Sequence, residues 1–238
     1  MLPQVIRIAA RLMLPRVSGG VEVAERIALN SLEFRPETVI KGYLNGFFPM
    51  PDESGRVSWR APEIRGVIPV DGFHIPKNLK RLIRQNKFEI RLDTQFEQVI
   101  RGCAERDETW ITDEIVDVYC RLNEMGVARS VEAWQNGELV GGLYGVSIGR
   151  YFATESQFHR VRDAGKISFV FLAEILKAGG FLLHDVQYPT PYLEQFGVAA
   201  LPAADFRKQL LQAVIQPGQF ELPAPGADAA LLETAAAK

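Results

Sequence analysis

The chain has 238 residues, 47% hydrophobic and 24% charged, with 27 Lys and Arg against 29 Asp and Glu for a formal net charge of −2. That is enough chain and enough apolar content to bury a sizeable core, which excludes disorder throughout. The near-neutral balance excludes a protein that coats nucleic acid non-specifically, while leaving room for a local basic patch.

Residues 1–15 are largely apolar, with Arg7, Arg11 and Arg16 spaced through and just beyond them. This spacing resembles an amphipathic helix or a targeting peptide, although the apolar runs are too broken for a signal-peptide core. No stretch approaches the roughly 18 apolar residues of a membrane span, so a cytoplasmic protein without a membrane partner is expected. A helix is predicted over residues 36–45, with proline in its first turn, Val39, Ile40, Tyr43 and Leu44 on one face and Gly46 at its exit. The proline-rich run from Phe47 to Pro51 reads as an apolar turn, and residues 57–59 and 66–70 read as short strands.

Pro76 opens a basic helix over residues 77–84 that Asn86 can end. Lys77, Lys80, Arg81 and Arg84 fall three or four apart on one face, a geometry that can track a phosphate backbone and equally suits a solvated surface. Residues 88–92 alternate as a strand, Phe96, Val99, Ile100 and Cys103 recur at helical spacing, and Thr112 can cap a helix over 113–125. Asn136-Gly137 supplies the positive φ angles of a tight hairpin within residues 130–146. A strand over 150–155, a helix over 166–178, a strand over 181–187 and a last helix over 203–213 complete the reading. Antiparallel strands followed by helix and strand match the order of an acetyltransferase-like α+β sheet. The segment after Phe220, rich in alanine and proline, reads as a mobile end.

Cys103 and Cys120 lack metal-ligand spacing and are expected to be buried thiols in a reducing compartment. His74, His159 and His184 are scattered, so no metal site is expected. Chemistry-bearing residues gather at the ends of the late strands. Glu155 stands at one strand's exit, and Asp185 and Gln187 lie two apart on the next, hence on one face. On spacing alone they are also ordinary strand-end residues. As a cluster they suit aminolysis of an ester, in which an attacking amine sheds a proton and an activated ester demands little base strength.

Read in order, Gly46-Phe47-Phe48-Pro49, Trp59-Arg60-Ala61-Pro62-Glu63-Ile64-Arg65-Gly66-Val67, Thr109-Trp110-Ile111-Thr112, Ser130-Val131-Glu132-Ala133-Trp134, the Glu138–Val146 run and Glu155-Ser156 resemble the leucyl/phenylalanyl-tRNA–protein transferases over about residues 36–215. The resemblance implies a small N-terminal α+β domain (1–63), a GNAT-type catalytic domain (64–220) and a tail (221–238). It implies an enzyme that moves Leu or Phe from charged tRNA to proteins beginning with Arg or Lys, marking them for degradation without a cofactor. A monomer is expected. Carried over by position, Asp185 and Gln187 handle the amine proton and Glu155 faces the acceptor's cationic N-terminus. Trp110 lies near the esterified adenosine, and Leu143, Phe152, Phe169, Leu172 and Leu176 line the side-chain pocket. An apolar pocket separates Leu from Val by only ~1–3 kcal/mol. Met50 replaces the family's Trp, and Gln157 and His184 stand where it is apolar, which makes the pocket more polar if they point inward. Two alternatives remain at this level. One is an acyl-CoA-dependent N-acyltransferase, since residues 162–167 partly match a pyrophosphate loop; Ile167 there replaces the final small residue. The other is a non-catalytic tRNA- or peptide-binding module.

Overall fold

The computed structural model describes residues 21–52 and 54–223. The helix or targeting peptide expected over residues 1–15, and nearly all of the expected tail, lie outside the described residues.

Helix α1 (Val21–Asn30) leads into α2 (Pro36–Leu44), where Arg35 is extended and Pro36 occupies the first turn, its missing N–H costing no helical bond. Val39, Ile40, Tyr43 and Leu44 are buried as the spacing requires. Gly42 lets the helix sit on Trp59, since a Cβ there would lie 2.1 Å from the indole. The expected turn at residues 47–51 is instead strand β1 (Phe48–Pro51), which pairs antiparallel with β2 (Val57–Arg60) in a separate two-stranded sheet. A two-stranded ladder has an open edge on each side, so Pro49 and Pro51 can sit in it with their ring nitrogens turned outward.

β3 (Ile64–Ile68) begins two residues before the strand read from the sequence, and Val70 lies in a 3₁₀ turn instead. Next come α3 (Lys77–Arg84), β4 (Glu89–Leu92), α4 (Phe96–Ala104) and α5 (Asp113–Glu124). Thr112 caps α5 by accepting from the Ile115 amide at 3.3 Å. The hairpin of β5 (Ala128–Gln135) and β6 (Glu138–Ile148) turns at Asn136 and Gly137, with φ of 53° and 81°. β7 (Tyr151–His159) runs four residues past its expected end. α6 (Ala164–Ala178), β8 (Leu183–Gln187), α7 (Pro191–Glu194), β9 (Ala199–Pro202) and α8 (Ala203–Val214) follow; α1 is an addition to the elements expected from the sequence, and so are α7 and β9, each too short at four residues to show a period.

The seven strands order as β4-β5-β6-β7-β8-β3-β9, antiparallel everywhere except the β7–β8 pair. The chain is thus mixed α+β, built on one large mixed sheet. Alternation along the strands divides the interior: Tyr144, Tyr151 and Ala153 pack with α2, α4, α5 and α8, while Leu143 and Phe152 pack with α3 and α6. The Ser-x-Glu-x-Trp run proves structural. Buried Glu132 accepts from Ser130, Trp134, Thr94 and the Gln95 amide, which pins the start of α4 to β5. Cys103 is buried, its thiol pushed up to about 12 by desolvation; Cys120 is only half-buried, contrary to expectation. No helix among the described residues is long and apolar enough to cross a membrane.

Candidate active site

β7 and β8 are laddered only from Tyr151↔Leu183 to Ala153↔Asp185, and beyond that point nothing pairs them. β8 is held instead on its other side by β3, with Gly66 opposite Gln187. On β7 the register slips: Tyr144 faces Ser156 and Gly145 faces Thr154, leaving Glu155 as the extra residue of a bulge. Bulges re-aim side chains, and this one presents Glu155 to the gap. Gln187 closes the gap by donating Nε2–H to Glu155 Oε1 at 3.0 Å. Its backbone is left-handed, φ 65°, a conformation that costs a non-glycine residue energy and needs a partner to hold it.

That partner is Asp185. Its Oδ1 accepts from the Gln187 amide at 2.8 Å and from Arg65 Nε at 2.8 Å. Its Oδ2 accepts from Arg65 Nη2 at 2.6 Å and from the Tyr151 hydroxyl at 2.7 Å. A carboxylate offers about four lone-pair sites, and all four are taken. Asp185 has no exposed surface and Arg65 only 1%. Asp185 and Gln187 do share a face, as period two requires, but only Gln187 reaches the gap. The aspartate expected beside the substrate is sealed behind it, because a buried anion needs its counter-ion and every donor within reach.

Arg65 was not singled out from the sequence. Its guanidinium lies between the rings of Phe48 and Phe206, 4.6 and 4.7 Å from their centroids, and donates Nη1–H to the Gly46 carbonyl at 3.1 Å. Burial alone would lower its pKa, but the Asp185 charge and hydrogen bonds hold it above the ordinary arginine value. The only sequence signal was an arginine at an inward position of an otherwise apolar strand.

Glu155 differs from Asp185 in every respect. It is partly exposed, and besides Gln187 it accepts from the Tyr43 hydroxyl and receives a long 3.5 Å contact from the Tyr119 hydroxyl, itself 3.1 Å from that of Tyr43. Desolvation pushes its carboxyl up to about 8, and the Asp185 charge pushes the same way; Tyr43, Arg65 and Gln187 pull it down. Desolvation also raises the phenols of Tyr43, Tyr119 and Tyr151, so they remain donors.

Of the expected pocket residues, Leu143, Phe152, Phe169, Leu172 and Leu176 gather in one buried cluster, Phe152 stacked on Phe220 at 5.3 Å and Phe169 at 4.9 Å from Phe196. Trp110 is separated from them: half-buried, it packs against the other face's core. His184 does point inward, near Phe152 and Phe169, and bonds Thr154 Oγ1 at 2.8 Å. Burial pushes it down to about 4, so the ring is neutral. Gln157, the cross-strand partner of Leu143, bonds the Tyr192 hydroxyl at 2.5 Å. It lines a cavity of about 390 Å³ with Arg106, Phe158, Arg160 and Tyr192, two residues along β7 from Glu155. On α3, Leu79 and Ile83 are buried, Lys77, Arg81 and Arg84 exposed, and Lys80 half-buried, so the basic residues do share the outer face.

Two sequence profiles match the chain: that of the leucyl/phenylalanyl-tRNA protein transferases over residues 67–211, and that of their N-terminal domain over residues 33–63. Among curated proteins, a leucyl/phenylalanyl-tRNA–protein transferase of Herpetosiphon aurantiacus is 48% identical over 75% of this chain and 94% of its own. One of Salinibacter ruber is 46% identical over 85% of this chain and 89% of its own. One of Gloeobacter violaceus is 47% identical over 78% and 96%.

Proposed function

This chain belongs to the leucyl/phenylalanyl-tRNA protein transferase family, and on that premise we propose that it moves an amino acid from charged tRNA to the N-terminal α-amine of a protein. The observation that carries the reading is the Gln187–Glu155 bridge, two polar groups facing each other where β7 and β8 part. An amine delivered there meets the Gln187 side-chain oxygen, which has no partner among the described residues, and a carboxyl group with acceptor capacity to spare. The leaving group is a ribose hydroxyl from an ester that is already activated, so no cofactor enters the scheme.

In this proposal the donors are Leu and Phe, and the side chain is received by the Leu143–Phe152–Phe169–Leu172–Leu176 cluster with Trp110 towards the adenosine. The acceptors begin with Arg or Lys and are thereby marked for degradation, and the enzyme works as a monomer in the cytoplasm. A GNAT-type arrangement of residues 64–220 is supported by the single parallel pair β7–β8 joined through α6, with residues 1–63 as a smaller domain. An acyl-CoA reading is disfavoured because Ile167 stands where its would-be phosphate loop needs a small residue, and Lys166 of that loop lies against Asp163 at 3.4 Å. Label should pass from Leu-tRNA or Phe-tRNA to an Arg-starting peptide, and none from acetyl-CoA. Turnover of the thioester alone would replace the proposal.

The basic face of α3 is assigned to the tRNA backbone, with Lys77, Lys80, Arg81 and Arg84 positioning the acceptor stem without reading its sequence. Arg81→Ala with Arg84→Ala should weaken tRNA binding and reduce its salt slope by about one for each phosphate no longer neutralised. At saturating tRNA the transfer rate should hold. Filter binding across a salt series decides it, and an unchanged slope removes this helix from the interface.

A further inference from the structure

Resting on that reading, we infer that Glu155 is the group that takes the proton of the attacking amine, and that Arg65 and Asp185 only position Gln187 beside it. Asp185 is saturated: two bonds from Arg65, one from Tyr151 and one from the Gln187 amide fill its lone pairs, and no surface of it is exposed. An amine entering the gap meets the partly exposed Glu155 and Gln187, and not the buried Asp185. Glu155 is bulged out of β7 and partly exposed, and its donors are neutral groups, the Gln187 side-chain amide and the Tyr43 and Tyr119 hydroxyls.

The groups around Glu155 fit this division. Tyr119 on α5 and Tyr43 on α2 approach from one side. Tyr144 on β6, edge-on to Tyr119 at 5.5 Å, brings a buried hydroxyl with no partner among the described residues. Asp185 on β8 raises the Glu155 carboxyl and Arg65 on β3 lowers it. Burial pushes the Glu155 carboxyl up to about 8, so it is a stronger base than an ordinary carboxylate, the direction a general base for an amine requires.

The bound α-ammonium passes one proton to Glu155, and the neutral amine attacks the ester carbonyl, forming the C–N bond. The C–O bond to the ribose breaks, and the second amine proton ends on the released ribose hydroxyl. Glu155 then returns its proton to water through its exposed edge. Gln187, held in its left-handed turn by Asp185, orients the amine through its side-chain oxygen.

The test compares two acceptor peptides under single turnover at saturating peptide and charged tRNA. One carries an ordinary α-ammonium. The other carries an N-terminal aminooxy group, which is already neutral near pH 7. With the ammonium peptide, Glu155→Gln should lower the maximal rate about 100-fold, within the usual range for removing a general base. With the aminooxy peptide the deficit should shrink to tenfold or less, because no ammonium proton has to be taken. Asp185→Asn should slow both peptides by the same factor, and so should Arg65→Gln/Asp185→Asn, which avoids leaving a buried charge unpaired if the single variant folds poorly. An equal deficit for both peptides in Glu155→Gln overturns the inference, as does an Asp185 variant that is selectively rescued. If the wild-type chain transfers nothing from charged tRNA, the parent reading fails instead.

Discussion

Arg65→Met should cost about 3–5 kcal/mol of folding stability, the loss expected when one partner of a buried ion pair is removed and the other charge stays behind. Methionine keeps most of the volume between Phe48 and Phe206 but donates nothing. Asp185 then loses two of its four bonds and its counter-ion, and the Gly46 carbonyl loses its donor. For a chain of this size the melting temperature should fall by roughly 6–20 °C, read by thermal and urea unfolding. Arg65→Met/Asp185→Leu should recover much of the loss, since an apolar pair of similar volume often replaces a buried salt bridge at little cost. A single-variant loss below about 1 kcal/mol would mean that the pair behaves like an exposed one.

The same ion pair marks the limit of what the sequence disclosed. Asp185 and Gln187 could be placed on one face because a strand's period is fixed by its backbone. That Arg65, 120 residues earlier, would meet Asp185 depends on β3 inserting between β8 and β9, a long-range pairing that no local pattern encodes. The Glu155 bulge is equally non-local, arising from the register between β6 and β7. Capping at Thr112 and the Asn136-Gly137 turn were legible because their causes lie within four residues. Phe48–Pro51 was misread for the opposite reason: two prolines argue against an interior strand, and only the partner strand shows that this one has an open edge. Resemblance to the family paired Asp185 with Gln187 in handling the amine proton. Counting the donors around Asp185 moves it behind Gln187.

Gly66→Ala should cut transfer about 100-fold, the scale of a misplacement near 1 Å at a reacting group, while leaving tRNA affinity nearly intact. Gly66 needs no unusual φ, so alanine meets no conformational penalty there; the obstacle is steric. Its Cβ would lie 2.6 Å from the Tyr188 carbonyl carbon, 2.7 Å from the Pro189 nitrogen and 2.9 Å from the Tyr188 oxygen. These are backbone atoms and cannot rotate aside, so the chain after Gln187 must move. Gln187 is the cross-strand neighbour of Gly66 and is already strained at φ 65°, which makes it the residue that absorbs the shift. Its amide would leave Asp185, and its side chain would leave Glu155. The expected stability cost is about 1–3 kcal/mol, typical of overpacking, small enough for the variant to be purified and assayed. Single-turnover transfer and tRNA binding measured on one preparation separate the effects. If the maximal rate falls less than about threefold while unfolding shows the full steric cost, the placement of Gln187 does not limit the reaction, and the bridge across the β7–β8 gap is not where the amine is held.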